Sequence, residues 1–218
     1  MFSRTKNFIT MTNINKLTKE ELLNWLKNEA GVNHPNWFGD NLKYGGLEIQ
    51  QIPEEYVEYL WFLKNHKFES YLNIGVGKGG SFLIETYIQP LLKLSVAIDN
   101  SSYWGNEQKN TIRQNISFLQ KNTNTKIVFF DGTSRKFFDE HPDEKFDIIF
   151  IDGDHSYDGV KFDFINSEKL LKKDGYLVFH DIASHQCSGV NNLWNEIKKQ
   201  NCLEFIKSDK CGIGIWKK

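Results

Sequence analysis

The chain has 218 residues, of which 25% are charged, and its formal net charge at pH 7 is −1. This length suits one α/β domain with a sizeable core and a small extension. Lys and Arg are scattered among Asp and Glu without a basic stripe, so neither nucleic acid nor a membrane surface is an expected partner. No apolar run approaches the roughly 18 residues of a membrane span, and the N-terminus lacks the apolar core of a secretory signal.

The three cysteines of the chain are Cys187, Cys202 and Cys211. Their spacing fits no zinc-site pattern, and an odd number is unlike a disulfide framework. None has a recognisable partner at motif spacing that would mark it as a catalytic nucleophile. We therefore predict a reduced, cytoplasmic protein.

The first part of the chain predicts helices before any strand. Residues 17–26 have a helical pattern, in which Thr18 and Glu21 form a capping box at the start. A second helix is predicted over residues 53–63, with Pro in its first turn. We predict that residues 1–66 form an N-terminal helical extension that acts as a lid.

The second predicted domain, residues 67–218, alternates strands and helices. The predicted strands lie at about 70–75, 94–99, 126–131, 146–152 and 175–181. The predicted helices lie at about 80–92, 106–121, 133–140, 157–172 and 189–200. Such alternation implies a parallel sheet covered on both faces. Two last strands, near 203–207 and 212–216, are joined by a tight loop and make one sheet edge antiparallel.

A glycine-rich turn follows the first strand of this domain. Gly75, Gly77 and Gly80 match G-x-G-x-x-G, a pattern that lets the backbone approach a ligand and that is typical of both NAD and S-adenosylmethionine sites. The next strand ends in Asp99, which is placed to accept hydrogen bonds from ribose hydroxyls. The third strand ends in Asp131, which suits either an adenine amino group or the cap of the following helix.

Ionisable residues follow the fourth and fifth strands. Asp152 and His155 come after the fourth strand, and His180 and Asp181 close the fifth. Ligands of open α/β sheets bind beyond the carboxyl ends of strands, so neighbouring strands would bring Asp152 and Asp181 close together. Two carboxylates with a His or water make a site for Mg²⁺ or a similar ion. The alternative is that His180 and Asp181 only close their strand by bonding to loop backbone.

These segments together resemble the class I S-adenosylmethionine-dependent methyltransferases. The resemblance rests on residues 71–81, 98–99, 146–157 and 179–181. The group in question is the small-molecule O-methyltransferases of the macrocin and rhamnosyl O-methyltransferase type, whose fold the cephalosporin hydroxylase family shares. The resemblance covers about residues 45–218. The D-G-D-H-S-Y segment with the later H-D is its specific part, whereas the glycine turn is generic.

The resemblance implies an α/β fold with a Rossmann-like, doubly wound sheet of seven strands, mostly parallel, whose last strand is antiparallel. It also implies S-adenosylmethionine over the glycine turn, with the ribose on Asp99. The cofactor-binding residues expected on this basis are Asn73, Gly75, Gly77, Gly79, Gly80, Ser81, Asp99, Asp131 and Asp152. Asn73 departs from the family, which usually has an acidic residue there to hold the methionyl amino group.

For the acceptor side, the resemblance implies a divalent metal, usually Mg²⁺, at Asp152 and Asp181 with His180 contributing. His155 matches the proposed general base of the family. Metal coordination lowers the pKa of a hydroxyl, and an imidazole titrates near neutral pH, so the two together suit methyl transfer to oxygen. Well-studied relatives have Glu in place of His180, and His favours Mn²⁺, Fe²⁺ or Zn²⁺ over Mg²⁺.

The predicted function is therefore a metal-dependent O-methyltransferase that acts on a hydroxyl of a small molecule. The first candidate for this acceptor is a sugar or glycan precursor, and a secondary metabolite is the other. One alternative is an NAD-dependent oxidoreductase, in which the carboxylate cluster would have no role in hydride transfer. The other is a non-catalytic binding protein on a methyltransferase fold. Candidate wall residues for the acceptor are Trp37, Phe38, Tyr44 and Trp104. The aromatic N-terminal segment is a candidate interface for a homo-oligomer.

Overall fold

The computed structural model describes residues 13–32, 47–100, 105–198 and 201–218, which form a seven-stranded sheet with flanking helices. The strands are β1 Ser70–Ile74, β2 Leu94–Asp99, β3 Lys126–Asp131, β4 Phe146–Ile151, β5 Leu171–His180, β6 Leu203–Phe205 and β7 Ile213–Lys217. The helices are α1 Lys19–Trp25, α2 Pro53–Asn65, α3 Gly80–Tyr87, α4 Gly105–Asn122, α5 Ser134–Glu140, α6 Tyr157–Leu170 and α7 Ser188–Ile197. A 3₁₀ turn, Ile14–Lys16, precedes α1, and a π-helical turn, Leu26–Ala30, follows it.

The strand order is β3-β2-β1-β4-β5-β7-β6. The first five strands in this order run parallel, and β7 is antiparallel to both β5 and β6. The predicted doubly wound, mostly parallel sheet with an antiparallel last strand is therefore confirmed. Because the chain leaves β3 at one edge and crosses to β4 on the other side of β1, the sheet has a switch point between β1 and β4.

Side chains of the central strands alternate between the two faces of the sheet and are buried on both. Tyr71 and Phe150 belong to the apolar cluster that α1, α2, α3 and α4 cover. Leu72 and Ile149 belong to the cluster beneath α5, α6 and α7. This two-sided burial explains why the strands read as nearly continuous apolar runs. Within the described ranges, no helix combines the length and apolar character needed to cross a lipid bilayer.

The described part of the predicted N-terminal extension packs into the same core as the sheet. The capping box is confirmed: the Thr18 N–H donates to Glu21 Oε2 at 2.8 Å, and the Glu21 N–H donates to Thr18 Oγ1 at 3.3 Å. The ring of Tyr59 on α2 lies 5.3 Å from that of Phe150 on β4. The boundary between residues 66 and 67 stays a prediction.

Several predicted elements have different bounds in the structure; the fifth strand, for example, begins at Leu171 and not near residue 175. Two of the differences have a clear physical cause. The helix predicted over residues 80–92 stops at Tyr87, because the residue before Pro90 disfavours helical geometry and Pro90 has no N–H to donate. The connection between β6 and β7 runs over residues 206–212 and is longer than the predicted tight loop.

A buried carboxylate on α2 holds this long connection. Glu55 is fully buried and accepts hydrogen bonds from the backbone N–H groups of Lys207 at 2.7 Å, Ser208 at 3.2 Å and Gly212 at 2.8 Å. Carboxylates that accept several backbone N–H bonds make strong, charge-assisted contacts. The N-terminal helices thus fix a loop that begins at the far edge of the sheet.

Replacing Glu55 by Ala should lower the free energy of unfolding by about 3 kcal/mol or more, because each buried donor left unsatisfied costs roughly 1–3 kcal/mol. Glu55→Gln keeps one acceptor oxygen and should lose less. Urea denaturation followed by circular dichroism measures both values. Glu58→Ala is the control, since Glu58 forms a half-exposed pair with Lys19 and should change stability by only about 0.5 kcal/mol. A Glu55→Ala loss as small as that of the control would contradict this account.

Candidate functional site

A cavity of about 960 Å³ opens at the carboxyl ends of the central strands. Asn73 of β1, Asp99 of β2, Asp152 after β4 and His180 of β5 all line it. The cavity therefore lies at the switch point between β1 and β4, where open α/β sheets bind their ligands. Its volume is in the range of cofactor and substrate sites.

The glycine turn forms the floor of this cavity, and two of its glycines have different reasons to be glycine. Gly75 has φ +87°, and a Cβ there would collide with the carbonyl oxygen of Asp152. Gly77 has φ +52°, and a Cβ there would meet no atom within 4 Å. The first glycine is thus required by packing of the protein, while the second leaves open space on the cavity side.

Three other predicted cofactor residues flank this turn. Gly80 and Ser81 line the cavity at the start of α3. Gly79 precedes α3 and does not line the cavity; its carbonyl oxygen accepts a hydrogen bond from Asn115 Nδ2 at 2.8 Å.

The two acidic residues predicted for the adenosine end lie in different surroundings. Asp99 lines the cavity, and its Oδ2 accepts a hydrogen bond from the Gly77 N–H at 2.8 Å, which holds the carboxylate over the turn. Asp131 is exposed, forms an ion pair with Lys109 at 3.0 Å, and is not among the residues that line the cavity. A role for Asp131 at adenine stays a prediction.

Asn73 is buried and lines the cavity, and hydrogen bonds to other side chains hold its amide in place. Its Nδ2 donates to Glu85 Oε2 at 2.8 Å and to the Tyr71 hydroxyl at 2.9 Å. Burial raises the pKa of Glu85 to about 7. Sequence reasoning missed Glu85, although a lone acidic residue in the apolar start of α3 was a signal that could have found it.

A further part of the cavity wall lies against the glycine turn and comes from the segment that precedes α2, defined here as residues 47–51. Glu48 has φ 60° and its Oε1 lies 2.9 Å from Lys78 Nζ. Gln51 is buried and lines the cavity, and its Oε1 has no hydrogen-bond partner in the structure. The aromatic wall residues predicted from the sequence, Trp37, Phe38, Tyr44 and Trp104, lie outside the described residues.

The structure brings the three residues of the predicted metal site and the predicted base, His155, into one cluster. Asp152 Oδ1 lies 3.3 Å from His155 Nε2 and 3.1 Å from His180 Nδ1. Asp181 Oδ2 lies 3.6 Å from His155 Nε2 and 3.5 Å from His180 Nδ1. They meet because β4 and β5 are adjacent and in register, so that their carboxyl ends share one edge.

Two thiols border this cluster, which the sequence did not predict. Cys187 Sγ lies 3.4 Å from His155 Nδ1 and donates to Asp181 Oδ2 at 3.2 Å. Cys211 Sγ lies 2.8 Å from His180 Nε2. The loop before α7 and the β6–β7 connection carry these cysteines to the site, so no motif spacing could reveal their partners.

The charges of the cluster stabilise one another. The hydrogen bond to Asp152, with a second to Cys187, raises the pKa of His155 to about 11. Burial disfavours a charged His180, but Asp152 outweighs burial and holds its pKa well above the usual value. Burial likewise opposes ionisation of Asp181, yet His180 keeps the pKa of that carboxyl low. The imidazoles and the carboxylates of the cluster are thus all shifted towards their charged forms.

Some donor atoms of this cluster lie close enough together to share a divalent metal. Among the described residues, His180, Asp181 and Cys211 form one such group and His155, Asp181 and Cys187 another, with the donor atoms of each group within 4.8 Å of one another. Asp152 Oδ1 lies beside the first group, 3.1 Å from His180 Nδ1. An imidazole among the ligands favours Mn²⁺, Fe²⁺ or Zn²⁺ over Mg²⁺.

The sequence matches a protein family over the part of the chain that forms the site. Residues 72–182, just over half of the chain, match a family model described as a methyltransferase domain. A protein of Acanthamoeba polyphaga mimivirus, the uncharacterized protein R132, is 34% identical over 124 residues, which are 55% of this chain and 54% of that protein. The chain thus spans about half the length of this curated relative.

Solved structures share the fold. The O-methyltransferase from Bacillus cereus, in complex with SAH, superposes with a TM-score of 0.59 at 17% identity over 76% of this chain and 80% of that chain. The O-methyltransferase TomG from Streptomyces achromogenes, involved in tomaymycin synthesis and in complex with SAM, gives a TM-score of 0.56 at 12% identity over 76% and 79%. The predicted Rossmann-like methyltransferase fold is confirmed.

Substitution of the two glycines by Ala should separate packing from ligand binding. Gly75→Ala places a methyl group against the Asp152 carbonyl and should destabilise the fold by about 3 kcal/mol or more. Gly77→Ala has space and should cost only about 1–2 kcal/mol of backbone strain, but its methyl group enters the cavity and should weaken binding of S-adenosylmethionine, the expected cofactor. Thermal unfolding and calorimetric titration measure the two effects. Equal stability losses for both variants would contradict the assignment.

Proposed function

Because the chain belongs to the methyltransferase domain family, we propose that it binds S-adenosylmethionine in the cavity and transfers the methyl group to a hydroxyl oxygen of a small molecule. One observation carries this proposal: the glycine turn and the histidine–carboxylate cluster open into the same cavity. A cofactor lying over Gly77 and an acceptor beside His155 would meet there. Methyl transfer from a sulfonium is mainly a matter of holding the two in line.

On the cofactor side, the proposal assigns the adenosine end to Asp99 and the amino-acid end to Asn73. Asp99 ends β2 and Asn73 lies on β1, so these two side chains are on neighbouring strands of the cavity edge. The sulfonium would then lie towards β4, nearest the histidine–carboxylate cluster. The family match favours this interpretation of the glycine turn over an NAD site.

On the acceptor side, we assign metal binding to Asp152, His180 and Asp181, and proton transfer to His155. The side chain of His180 is 5% exposed and that of His155 is 39% exposed, so His155 is the imidazole that an acceptor can reach. A divalent ion, when bound, supplies positive charge that lowers the pKa of a neighbouring hydroxyl and of His155. Asp152 holds the His155 ring in place, and the ring then accepts the hydroxyl proton. The donor set favours Mn²⁺, Fe²⁺ or Zn²⁺ over the Mg²⁺ expected from the resemblance.

We propose a polyhydroxylated acceptor, such as a sugar or glycan precursor. Further polar side chains line the cavity, among them Arg135, Asp154, Ser156 and Asp158. Such groups exchange hydrogen bonds with hydroxyls and would be poorly satisfied by an apolar acceptor.

A cytoplasmic location is part of the proposal, since all three cysteines are free thiols and two of them contact the site histidines. A homo-oligomeric state stays a prediction.

Calorimetric titration tests the cofactor class. We expect the purified protein to bind S-adenosylmethionine and not NAD, because the glycine turn lies within the part of the chain that matches a methyltransferase domain. EDTA should leave this binding largely intact, since the proposed metal residues lie on the acceptor side. Binding of NAD alone would favour the oxidoreductase alternative, and binding of neither ligand would contradict the proposal.

Replacement of His155 by Ala tests the role in proton transfer. We expect methyl transfer to a hydroxyl acceptor to fall by about 10²–10⁴-fold, with S-adenosylmethionine affinity unchanged. His185→Ala is the matched control, because His185 is exposed, contacts the Asp209 carbonyl oxygen and does not line the cavity. The assay is the release of S-adenosylhomocysteine over a panel of sugars. Undiminished turnover in His155→Ala would remove the base assignment, and a wild-type protein that binds the cofactor without any turnover would favour a non-catalytic function.

A further inference from the structure

A buried carboxylate on α3, that of Glu85, contacts side chains of β1 close to the glycine turn. We define the Glu85 cluster as Glu85, Tyr56, Tyr71 and Asn73. Glu85 is fully buried on α3. Its Oε2 accepts from the Tyr71 hydroxyl at 2.6 Å and from Asn73 Nδ2 at 2.8 Å, and its Oε1 accepts from the Tyr56 hydroxyl at 3.3 Å. The methyl-transfer mechanism described above makes no use of this residue.

The donors in this cluster are all neutral. Two phenols and one amide stabilise the carboxylate only in part, and burial with the nearby Asp152 keeps the pKa of Glu85 near 7. A buried carboxylate of this kind is stabilised further by a cation within a few ångströms. The Glu85 cluster is therefore a place where a positively charged ligand group would gain energy.

The cluster also dictates how Asn73 faces the cavity. Because its Nδ2 is held by Glu85 and Tyr71, the amide cannot turn its NH₂ group towards a ligand without losing both bonds. Its Oδ1 is buried and has no hydrogen-bond partner in the structure, and the same is true of Gln51 Oε1. Both side chains line the cavity. Two side chains of the cavity lining thus each have a buried amide oxygen that lacks a donor.

We propose that Glu85 is a positioning residue for the amino-acid end of the cofactor: it fixes Asn73 so that Asn73 Oδ1, with Gln51 Oε1, accepts hydrogen bonds from the α-ammonium, and it supplies the negative charge that Asn73 lacks. This inference rests on the proposed binding of S-adenosylmethionine. An ammonium group has three hydrogen-bond donors and no acceptor. It therefore suits two amide oxygens that lack donors, Asn73 Oδ1 and Gln51 Oε1, with the negative charge of Glu85 nearby. Neutral ligands would satisfy the oxygens but would gain nothing from the charge.

The arrangement also explains why Asn73 is compatible with the site. An acidic side chain at position 73 would lie within hydrogen-bond distance of Glu85, and two carboxylates that share a site cannot both stay ionised. With a carboxylate at position 85 and a neutral amide at position 73, the pair carries a single negative charge. The exchange of the two, Asn73→Asp with Glu85→Gln, conserves that charge and the hydrogen bond between the positions.

The test compares two ligands that differ only at the amino-acid end. S-adenosylhomocysteine carries the α-ammonium, whereas 5′-methylthioadenosine lacks the amino-acid group. In Glu85→Gln the new amide can donate to Asn73 and let it turn its NH₂ group to the ligand. We expect calorimetry to show a loss of S-adenosylhomocysteine affinity of roughly tenfold or more, with 5′-methylthioadenosine affinity within about twofold of wild type. Equal effects on the two ligands, or no effect on either, would overturn the inference.

The exchange variant guards against a trivial loss of folding. Asn73→Asp combined with Glu85→Gln should return the ratio of the two affinities to within about threefold of wild type. If this variant binds 5′-methylthioadenosine normally but still binds S-adenosylhomocysteine poorly, the positioning role of Glu85 is wrong. Glu58→Gln on α2 is the matched control and should bind both ligands as wild type does. A wild-type protein that binds neither ligand would refute the proposed function itself, which separates that failure from failure of this inference.

Discussion

The site depends on the close approach of the glycine turn to the end of β4. The Asp152 N–H donates to the Ile74 carbonyl at 2.8 Å, and the Gly75 N–H donates to the Ile98 carbonyl at 2.9 Å. A side chain at position 75 would collide with the Asp152 carbonyl, so only glycine lets these backbones meet. This contact joins three strand ends into one edge. The cofactor floor and the histidine–carboxylate cluster consequently share one cavity.

Carboxylates around this edge that are buried or half-buried are stabilised in three different ways. Glu55 accepts three backbone N–H groups and fixes a loop. Asp152 and Asp181 face two imidazoles, whose charges keep their pKa values low. Glu85 has only neutral donors and keeps a raised pKa. Groups of the protein stabilise the negative charge in the first two cases but only in part in the third. Glu85 is therefore the carboxylate that a positively charged ligand would stabilise most.

The sequence predicted most of the fold because local patterns and sheet geometry agreed. Apolar strands alternated with helices, and the capping box at Thr18 and Glu21 formed as predicted. The misjudged ends had causes outside the pattern. Pro90 ends α3 at Tyr87. The long β6–β7 connection donates backbone hydrogen bonds to Glu55, which lies far away in the sequence. Periodicity describes which face of an element is buried, but it contains no information about a long-range partner at its end.

By itself, the sequence determined which residues stand at the carboxyl ends of the strands. In a parallel sheet these ends share one edge, so the sequence alone assigns Asp99, Asp152 and Asp181 to one site. Only the tertiary structure decided what surrounds them. Cys211 reaches His180 through a loop, and Glu85 reaches Asn73 from a helix on the sheet face. Such contacts depend on how separate elements pack against one another, and packing leaves no fixed spacing in the sequence.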